Sequence, residues 1–387
     1  MTISKRPEEA DEGPGSDRPR LRIACVYRRD RGRGGYLSNM AGIRHFRMAE
    51  ALARRGYEVD IVLNGREQPQ MLANRLREIP FKLARWDHYH VVKTFFHTGF
   101  DTLMAEGGGD HPFIISKLGS VVGREQTEGV HFHGPVRERL FASQIAIAKR
   151  SKVVTVLTNR SAALWWREHG TDTTLLQVPT GVDAEIPSAL ADPYPGLGID
   201  GPIALFAGNI YSRGQQAEVN LLWQERLNQL GRSLRRRGVT LIAMGGGDTD
   251  HLDPAAVRHV GSIDAAEYWN WQQHAKAGIV FAQGPVQDNE SSKIYYYLRT
   301  GLPVICEESV PNHSLIEDTG CGAVVPYGDI EAMAEATSDQ LWASRDANQI
   351  AQYMVAMHSW DRRAALYDQV LREEVPMPIG LAGRLAG

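Results

Sequence analysis

The 387-residue sequence is poor in cysteine and has no strong excess of either charge. Its three cysteines, Cys25, Cys306 and Cys321, are odd in number and far apart, so we expect reduced core thiols rather than a disulfide framework. With 43 Lys and Arg against 46 Asp and Glu, the net charge is −3, which gives no general attraction to nucleic acid. An anionic ligand must therefore be bound by a local cluster of cations, and no nucleic-acid partner is expected.

Long apolar runs are also missing. No stretch approaches the roughly 20 apolar residues that cross a bilayer, so no transmembrane segment is expected. Residues 1–20 lack the apolar core of a secretory signal, and their polar, charged and Pro/Gly-bearing composition predicts a disordered tail. These absences predict a cytoplasmic protein, with peripheral contact at the inner face of the membrane left open.

What the sequence does contain is a series of short apolar runs alternating with helical patterns, and the series occurs twice. The first begins with a strand at 21–27 and the second with a strand at 202–207. This alternation predicts an α/β fold of two Rossmann-like, doubly wound parallel sheets. The predicted divisions are a tail at 1–20, a first domain at 21–183, a linker rich in Pro, Gly and Asp at 184–201, a second domain at 202–354, and a closing helix with a tail at 355–387.

The most informative stretch is 288–306, which predicts a short helix between two buried strands. Ser291 or Ser292 can cap this helix, and Lys293 falls in its first turn. A cation there is disfavoured by about 0.3–1 kcal/mol because of the helix dipole, and a bound anion would remove that cost. Backbone N–H groups and a lysine together bind phosphate, so this is a candidate phosphate site. The alternative is a solvated surface lysine paired with Glu290.

Residues 288–329 resemble the nucleotide-sugar site of glycosyltransferases with the GT-B fold, in particular bacterial enzymes of the group 1 type. In that family two glutamates, eight positions apart, hold the donor sugar and the ribose; the matching positions here are Asp288 and Tyr296. A subset that includes the glucuronosyltransferase of xanthan assembly instead has serines followed by a lysine that contacts the nucleotide phosphates. The residues similar to that subset, and so implied in donor binding together with Glu290 and Tyr296, are Ser291, Ser292 and Lys293.

In each domain, a loop that contains glycine follows the first strand. The loop at 28–38 does not spell G-x-G-x-x-G, and Asn64 stands where a dinucleotide fold places an acid, which argues against NAD or FAD. By resemblance it is the GT-B loop that faces the donor phosphates, which implicates Gly34 and Gly35.

The loop at 208–214 follows a strand and opens a helix, so its backbone can approach a diphosphate and Arg213 can pair with it. The family usually has an arginine where this chain has Asn209. We expect donor contacts from Gly208, Asn209 and Arg213, with an ordinary turn as the alternative.

Two patterns are compatible with a metal ion. Asp248 and Asp250 have the D-x-D spacing of another glycosyltransferase fold, and His131 and His133 could share one side of a strand. The D-x-D match is short and weak, although His251 and Asp253 follow it, and its place after the strand at 239–244 resembles a GT-B loop near the nucleotide instead. The histidine pair has no third ligand at a telling spacing. The sequence therefore predicts no metal site.

The resemblance implies an enzyme of the hexosyltransferase type. It would move a sugar from a UDP- or GDP-sugar to an acceptor hydroxyl without a metal or a cofactor, the acceptor being a small molecule, a glycan or a lipid-linked sugar bound mainly by residues 28–140. The family histidine after the strand at 113–118 is replaced by Leu118, so neither the base nor the stereochemical course is settled. The alternatives are a nucleotide-sugar-binding protein without activity and a GT-B nucleotide-sugar epimerase. The candidate catalytic residues are His97, Glu128 and Asp288, with Glu125 as a further possible base.

Overall fold

The computed structural model describes residues 21–30, 35–36, 39–125, 134–170, 173–187, 192–210, 213–264, 267–340 and 346–375, with the backbone alone for 213–218. Within these residues the chain forms two β-sheets, of eight and six strands, that are connected by helices. The predicted pair of doubly wound, mainly parallel sheets is therefore confirmed. No helix in these ranges is long and apolar enough to cross a membrane.

The first domain is built on the larger sheet. Its strands are β1 (Arg22–Val26), β2 (Glu58–Val62), β3 (Gln70–Ala73), β4 (Leu76–Ile79), β5 (Val91–Phe95), β6 (Ile114–Lys117), β7 (Val153–Val156) and β8 (Thr174–Gln177). Their order is β3-β4-β2-β1-β5-β6-β7-β8, and β3 and β4 form the one antiparallel pair among these described strands. The sequence does not predict this hairpin, because β3 is mostly exposed and lacks an apolar alternation.

The second domain is built on the smaller sheet. Its strands are β9 (Ile203–Ala207), β10 (Thr240–Met244), β11 (Val257–His259), β12 (Ala277–Val280), β13 (Val304–Glu307) and β14 (Gly322–Val325). They are all parallel and lie in the order β11-β10-β9-β12-β13-β14. In both sheets the order reverses beside the first strand, β1 or β9. Loops diverge at such a point and leave a crevice at the carboxyl ends of the strands, where ligands of α/β proteins usually bind.

The helices follow the strands in the same alternation. They are α1 (Met40–Arg54), α2 (Phe96–Ala105), α3 (Gly134–Arg150), α4 (Asn159–His169), α5 (Arg213–Arg236), α6 (Tyr268–His274), α7 (Ser292–Arg299), α8 (Ser314–Thr319), α9 (Ile330–Gln340), α10 (Ala347–His358) and α11 (Trp360–Glu373). The helix α7 is the one predicted between two buried strands, and it lies between β12 and β13 along the chain. Its residues Ile294, Tyr297 and Leu298 are fully buried, as the predicted apolar face requires.

The chain crosses between the domains twice, at neighbouring positions. Val182 and Ser359 form a parallel bridge, and a Cβ on Gly181 would lie 2.6 Å from the ring of Trp360. The hydroxyl of Ser359 caps α11, which then packs against α1 and buries Trp360 and Tyr367 in the core of the first domain. The predicted closing helix is therefore confirmed, as a pair of helices that breaks at Ser359.

The predicted linker is packed rather than loose where the structure describes it. Tyr194 is buried against Trp271 of α6, and its hydroxyl donates a hydrogen bond of 2.5 Å to the Trp271 carbonyl. The connection between the domains is therefore anchored on the second domain before β9 begins.

Candidate functional site

A cavity of about 540 Å³ lies between the two domains. The start of α2, directly after β5, and the loops after β6 and β12 line it, together with the start of α7 and residues from α1, α3 and α5. These loops leave the carboxyl ends of their strands, as the strand order predicts. The cavity therefore joins the two predicted halves of a site, one from each domain.

Lys293 lies in the wall of this cavity, half-buried in the first turn of α7. Its Nζ is 5.5 Å from the ring centroid of Phe206 and 5.4 Å from that of Trp223. Burial lowers the pKa of its ammonium group to about 8. Among the described residues no carboxylate forms an ion pair with it. The hypothesis of a solvated lysine paired with Glu290 is wrong.

The start of α7 is held by the side chain of Asn312. Ser291 precedes the helix in an extended conformation, and in the described structure its side chain makes no capping hydrogen bond. Asn312 instead accepts from the Ser291 N–H at 2.8 Å and donates to the Ser291 carbonyl at 3.0 Å. Ser291 and Ser292 both line the cavity. The first N–H groups of α7 are therefore free of a side-chain cap, which is the condition for an anion to bind there.

Glu290 is the one carboxylate among the described residues that line the cavity, and its oxygens are occupied. Its Oε1 accepts from the backbone N–H of Thr180 at 2.6 Å and from the Thr180 hydroxyl. Its Oε2 accepts from the Tyr295 hydroxyl at 3.0 Å. Arg363 of α11 donates to the Thr180 carbonyl at 3.0 Å. Glu290 therefore ties the loop before α7 to the place where the chain crosses between the domains.

Asp288 is buried and lies outside the cavity lining. Its backbone carbonyl accepts from the hydroxyls of Thr158 at 2.6 Å and Ser161 at 3.1 Å, both from the first domain. The next residue, Asn289, lines the cavity instead of Asp288. The Asn289 Nδ2 donates to the Ser120 hydroxyl at 2.7 Å, and the buried Oδ1 of Asn289 has no hydrogen-bond partner in the described structure. Sequence reasoning missed Asn289 because no periodicity indicates which residues of an irregular loop face a cavity.

His97 lines the cavity and is buried. Its Nε2 lies 3.4 Å from Oε1 of Gln144, whose amide is oriented by the N–H and the carbonyl of Val122. Because Oε1 is an acceptor, Nε2 carries the proton and Nδ1 is left with the free lone pair. Burial lowers the pKa of His97 to about 4, against the opposing effects of the Gln144 hydrogen bond and the Asp101 charge, so the ring is neutral at pH 7.

The turn that presents His97 is strained. Phe96, the residue before it, has a φ of +58°, a left-handed conformation that is rare for a side chain of this size. A Cβ on Gly119 would lie 2.6 Å from the Phe96 ring, so only glycine leaves room for that ring. A strained residue between a strand and a cavity-facing histidine is typical of a functional site.

The other predicted residues do not share the cavity. Gly35 lies in a separate, small pocket beside Tyr27 and His45. Tyr296 is buried in the core of the second domain against Trp269, outside the cavity lining. Gly208 is outside the cavity lining but contacts Lys293, since a Cβ at position 208 would lie 2.7 Å from Cε of the lysine. Asn209 is exposed.

Several predictions fall on parts that are not described. Gly34, Glu128, His131 and His133 lie outside the described residues, and Arg213 begins α5 with its side chain undescribed. These residues remain predictions.

Two cations of the first domain that line the cavity were not predicted as site residues. Arg44 on α1 and Arg139 on α3 both line the cavity. The spacing of Arg44 is a sequence signal that could have indicated its position: it follows Met40 by four residues, so the two share one face of α1, and both line the cavity.

In the described part of the chain, no group of three His, Cys, Asp or Glu side chains is arranged to hold a metal ion. The D-x-D pair makes a hydrogen bond within its own turn, in which Oδ1 of Asp248 accepts from the backbone N–H of Asp250 at 3.3 Å. The Asp248 carbonyl accepts from Asn220 at 2.8 Å and from Gln224 at 3.1 Å.

No protein-family model and no curated protein matches the sequence. Solved structures do match over most of the chain. Sucrose-phosphate synthase from Thermosynechococcus elongatus is 16% identical, with a TM-score of 0.65 over 91% of this chain and 98% of that one. HepE of Anabaena in complex with UDP and glucose is 11% identical, with a TM-score of 0.64 over 91% and 99%. The α,α-trehalose-6-phosphate synthase of Burkholderia multivorans is 12% identical, with a TM-score of 0.58 over 92% and 97%. The chain therefore has the GT-B fold, in which two Rossmann-like domains face each other across a cavity and the last helix returns to the first domain.

Proposed function

We propose that this protein is a glycosyltransferase of the hexosyltransferase type. It transfers a sugar from a UDP- or GDP-sugar to an acceptor hydroxyl, without a metal or a cofactor. The observation that carries the proposal is Lys293, a half-buried cation without a described carboxylate partner, placed in the cavity wall at the start of α7. The similarity in fold to HepE, which was solved with UDP and glucose, supports the same donor class.

In this proposal the donor diphosphate binds where the N–H groups of Ser292 and Lys293 begin α7. Departure of the nucleoside diphosphate develops negative charge on its terminal phosphate, and preorganised N–H groups with an ammonium group stabilise that charge. The ammonium end of Lys293 lies against Gly208 and beside the rings of Phe206 and Trp223. Arg213 and the backbone at Asn209 are the further donor contacts that we propose from the loop after β9.

His97 is the proposed base for the acceptor hydroxyl. It lines the cavity from the first domain, and its Nδ1 is free to accept a proton. Asp288 is less suited, because it lies outside the cavity lining with its backbone bound to Thr158. Glu128 remains a second candidate base. A small molecule, a glycan or a lipid-linked sugar can supply the hydroxyl.

Turnover of labelled donors tests the proposal. UDP- and GDP-sugars are incubated with a panel of acceptors, and the products are separated by chromatography. Transfer to an acceptor supports a glycosyltransferase; isomerised donor without transfer indicates an epimerase; tight donor binding without either reaction indicates a binding protein. We expect turnover to survive EDTA, and a loss that a divalent metal restores would overturn metal independence.

A further inference from the structure

The charges that line the cavity are unevenly distributed. The cations are Arg44, Arg139 and Lys293, and the carboxylate of Glu290 is engaged by Thr180 and Tyr295. None of the carboxylates described in the first domain lines the cavity. The wall that this domain contributes is therefore cationic, with no carboxylate among its described lining residues.

Two of the cations belong to the first domain, Arg44 on α1 and Arg139 on α3. Arg44 is half-buried on α1, and its Nε is buried without a hydrogen-bond partner among the described atoms. Arg139 on α3 is exposed and lines the cavity, and it has no ion-pair partner among the described residues. A buried guanidinium N–H without an acceptor costs free energy, and an anionic ligand would supply the acceptor.

Arg139 is also close to the proposed base. Arg139 on α3 and His97 on α2 line the same cavity. A ligand that offers a hydroxyl to His97 is therefore within the field of Arg139. The nearby uncharged polar side chains of this wall, Thr98 and Ser120, suit the remaining hydroxyls of a sugar.

We propose that the acceptor is itself an anion, a sugar or similar molecule with a phosphate or carboxylate group that Arg44 and Arg139 bind in the first domain. The inference rests on the proposed glycosyl transfer and specifies its substrate class. Guanidinium groups bind both anions by paired N–H donors, so phosphate and carboxylate share one recognition chemistry.

The test titrates matched probes into the protein saturated with UDP. Glucose 6-phosphate, glucuronate and glucose differ in the anionic group alone, and calorimetry compares their affinities. We expect one or both charged probes to bind on the order of tenfold or more tighter than glucose. Comparison of glucose 6-phosphate with glucuronate also shows whether the site prefers a phosphate or a carboxylate group. Equal affinity for all three probes would overturn the proposal.

Charge-removing variants assign the effect to the arginines. Arg44→Gln and Arg139→Gln should weaken the preferred charged probe on the order of tenfold and leave UDP affinity unchanged. Lys149→Gln, the same charge change at the exposed end of α3, should alter neither. If the arginine variants lose UDP instead, these residues belong to the donor site and the proposal fails. Failure of UDP to bind the parent protein would instead reject the proposed function.

Discussion

The ammonium end of Lys293 lies directly against Gly208, so that a Cβ on Gly208 would come within 2.7 Å of Cε and 3.1 Å of Nζ. Gly208 lies in the loop after β9, whereas Lys293 lies in the first turn of α7. Only hydrogen at position 208 leaves the lysine its present place over Phe206 and Trp223.

Gly208→Ala should therefore displace the lysine and spare the fold. The clash involves the far end of a flexible side chain, and Gly208 has no left-handed backbone conformation that alanine would resist. We expect UDP affinity to fall several-fold and the thermal midpoint to change little. Gly196→Ala, where a new Cβ meets no described atom within 4 Å, is the matched control. Unchanged UDP affinity in Gly208→Ala would separate Lys293 from the donor site.

Donor binding should weaken as the pH rises through about 8. Burial lowers the pKa of Lys293 to about 8, so the side chain is charged below that pH and loses its proton above it. UDP is fully ionised in this range, because the second phosphate pKa is about 6. Calorimetry between pH 7 and 9.5 should show a falling affinity. Lys293→Arg keeps its charge and should flatten this dependence; an equal decline in that variant would assign the titration to another group.

The fold is well predicted from the sequence because it depends on patterns that repeat. Apolar runs and helical periodicity locate most strands and helices, and α7 between β12 and β13 is found with its buried face. The hairpin of β3 and β4 is missed, since pairing with β2 stabilises residues whose own pattern is weak.

The site is predicted less completely, because its geometry depends on contacts between distant residues. The stretch with Ser291, Ser292 and Lys293 is identified, but its lysine is half-buried by Phe206 and Trp223, which no local pattern reveals. The irregular loop before α7 places Asn289 rather than Asp288 in the cavity.

His97→Gln should lower turnover without affecting donor affinity. The imidazole is the proposed base, and loss of a positioned base costs about 10²–10⁴-fold in rate. Because its pKa is lowered to about 4, the rate should show no loss from its protonation between pH 6 and 8. Steady-state kinetics with the identified substrates measure the turnover of the variant and the pH dependence of the parent rate. His88→Gln, exposed before β5 at the other end of the sheet, is the control. Full activity in His97→Gln would leave Glu128 as the candidate base.

Thr180→Val should destabilise the protein more than removal of an ordinary buried hydroxyl. The Thr180 hydroxyl donates to the buried carboxylate of Glu290, and a hydrogen bond to a charged group contributes about 1.5–3 kcal/mol. Thr337→Val is the control, because that buried hydroxyl donates to the neutral Met333 carbonyl, a bond of about 0.5–1.5 kcal/mol. Urea denaturation compares the two. A smaller loss in Thr180→Val would show that Glu290 does not anchor the crossing.

The most direct test of the account is the affinity of UDP for the parent protein and for Lys293→Ala. The lysine gives the diphosphate a charge-assisted hydrogen bond, so the variant should bind UDP about 10- to 100-fold more weakly, with an unchanged circular dichroism spectrum. Lys149→Ala, an exposed lysine at the end of α3, should bind UDP as the parent does. Equal UDP affinity in the parent and in Lys293→Ala would contradict the account, because the start of α7 would then not be a diphosphate site.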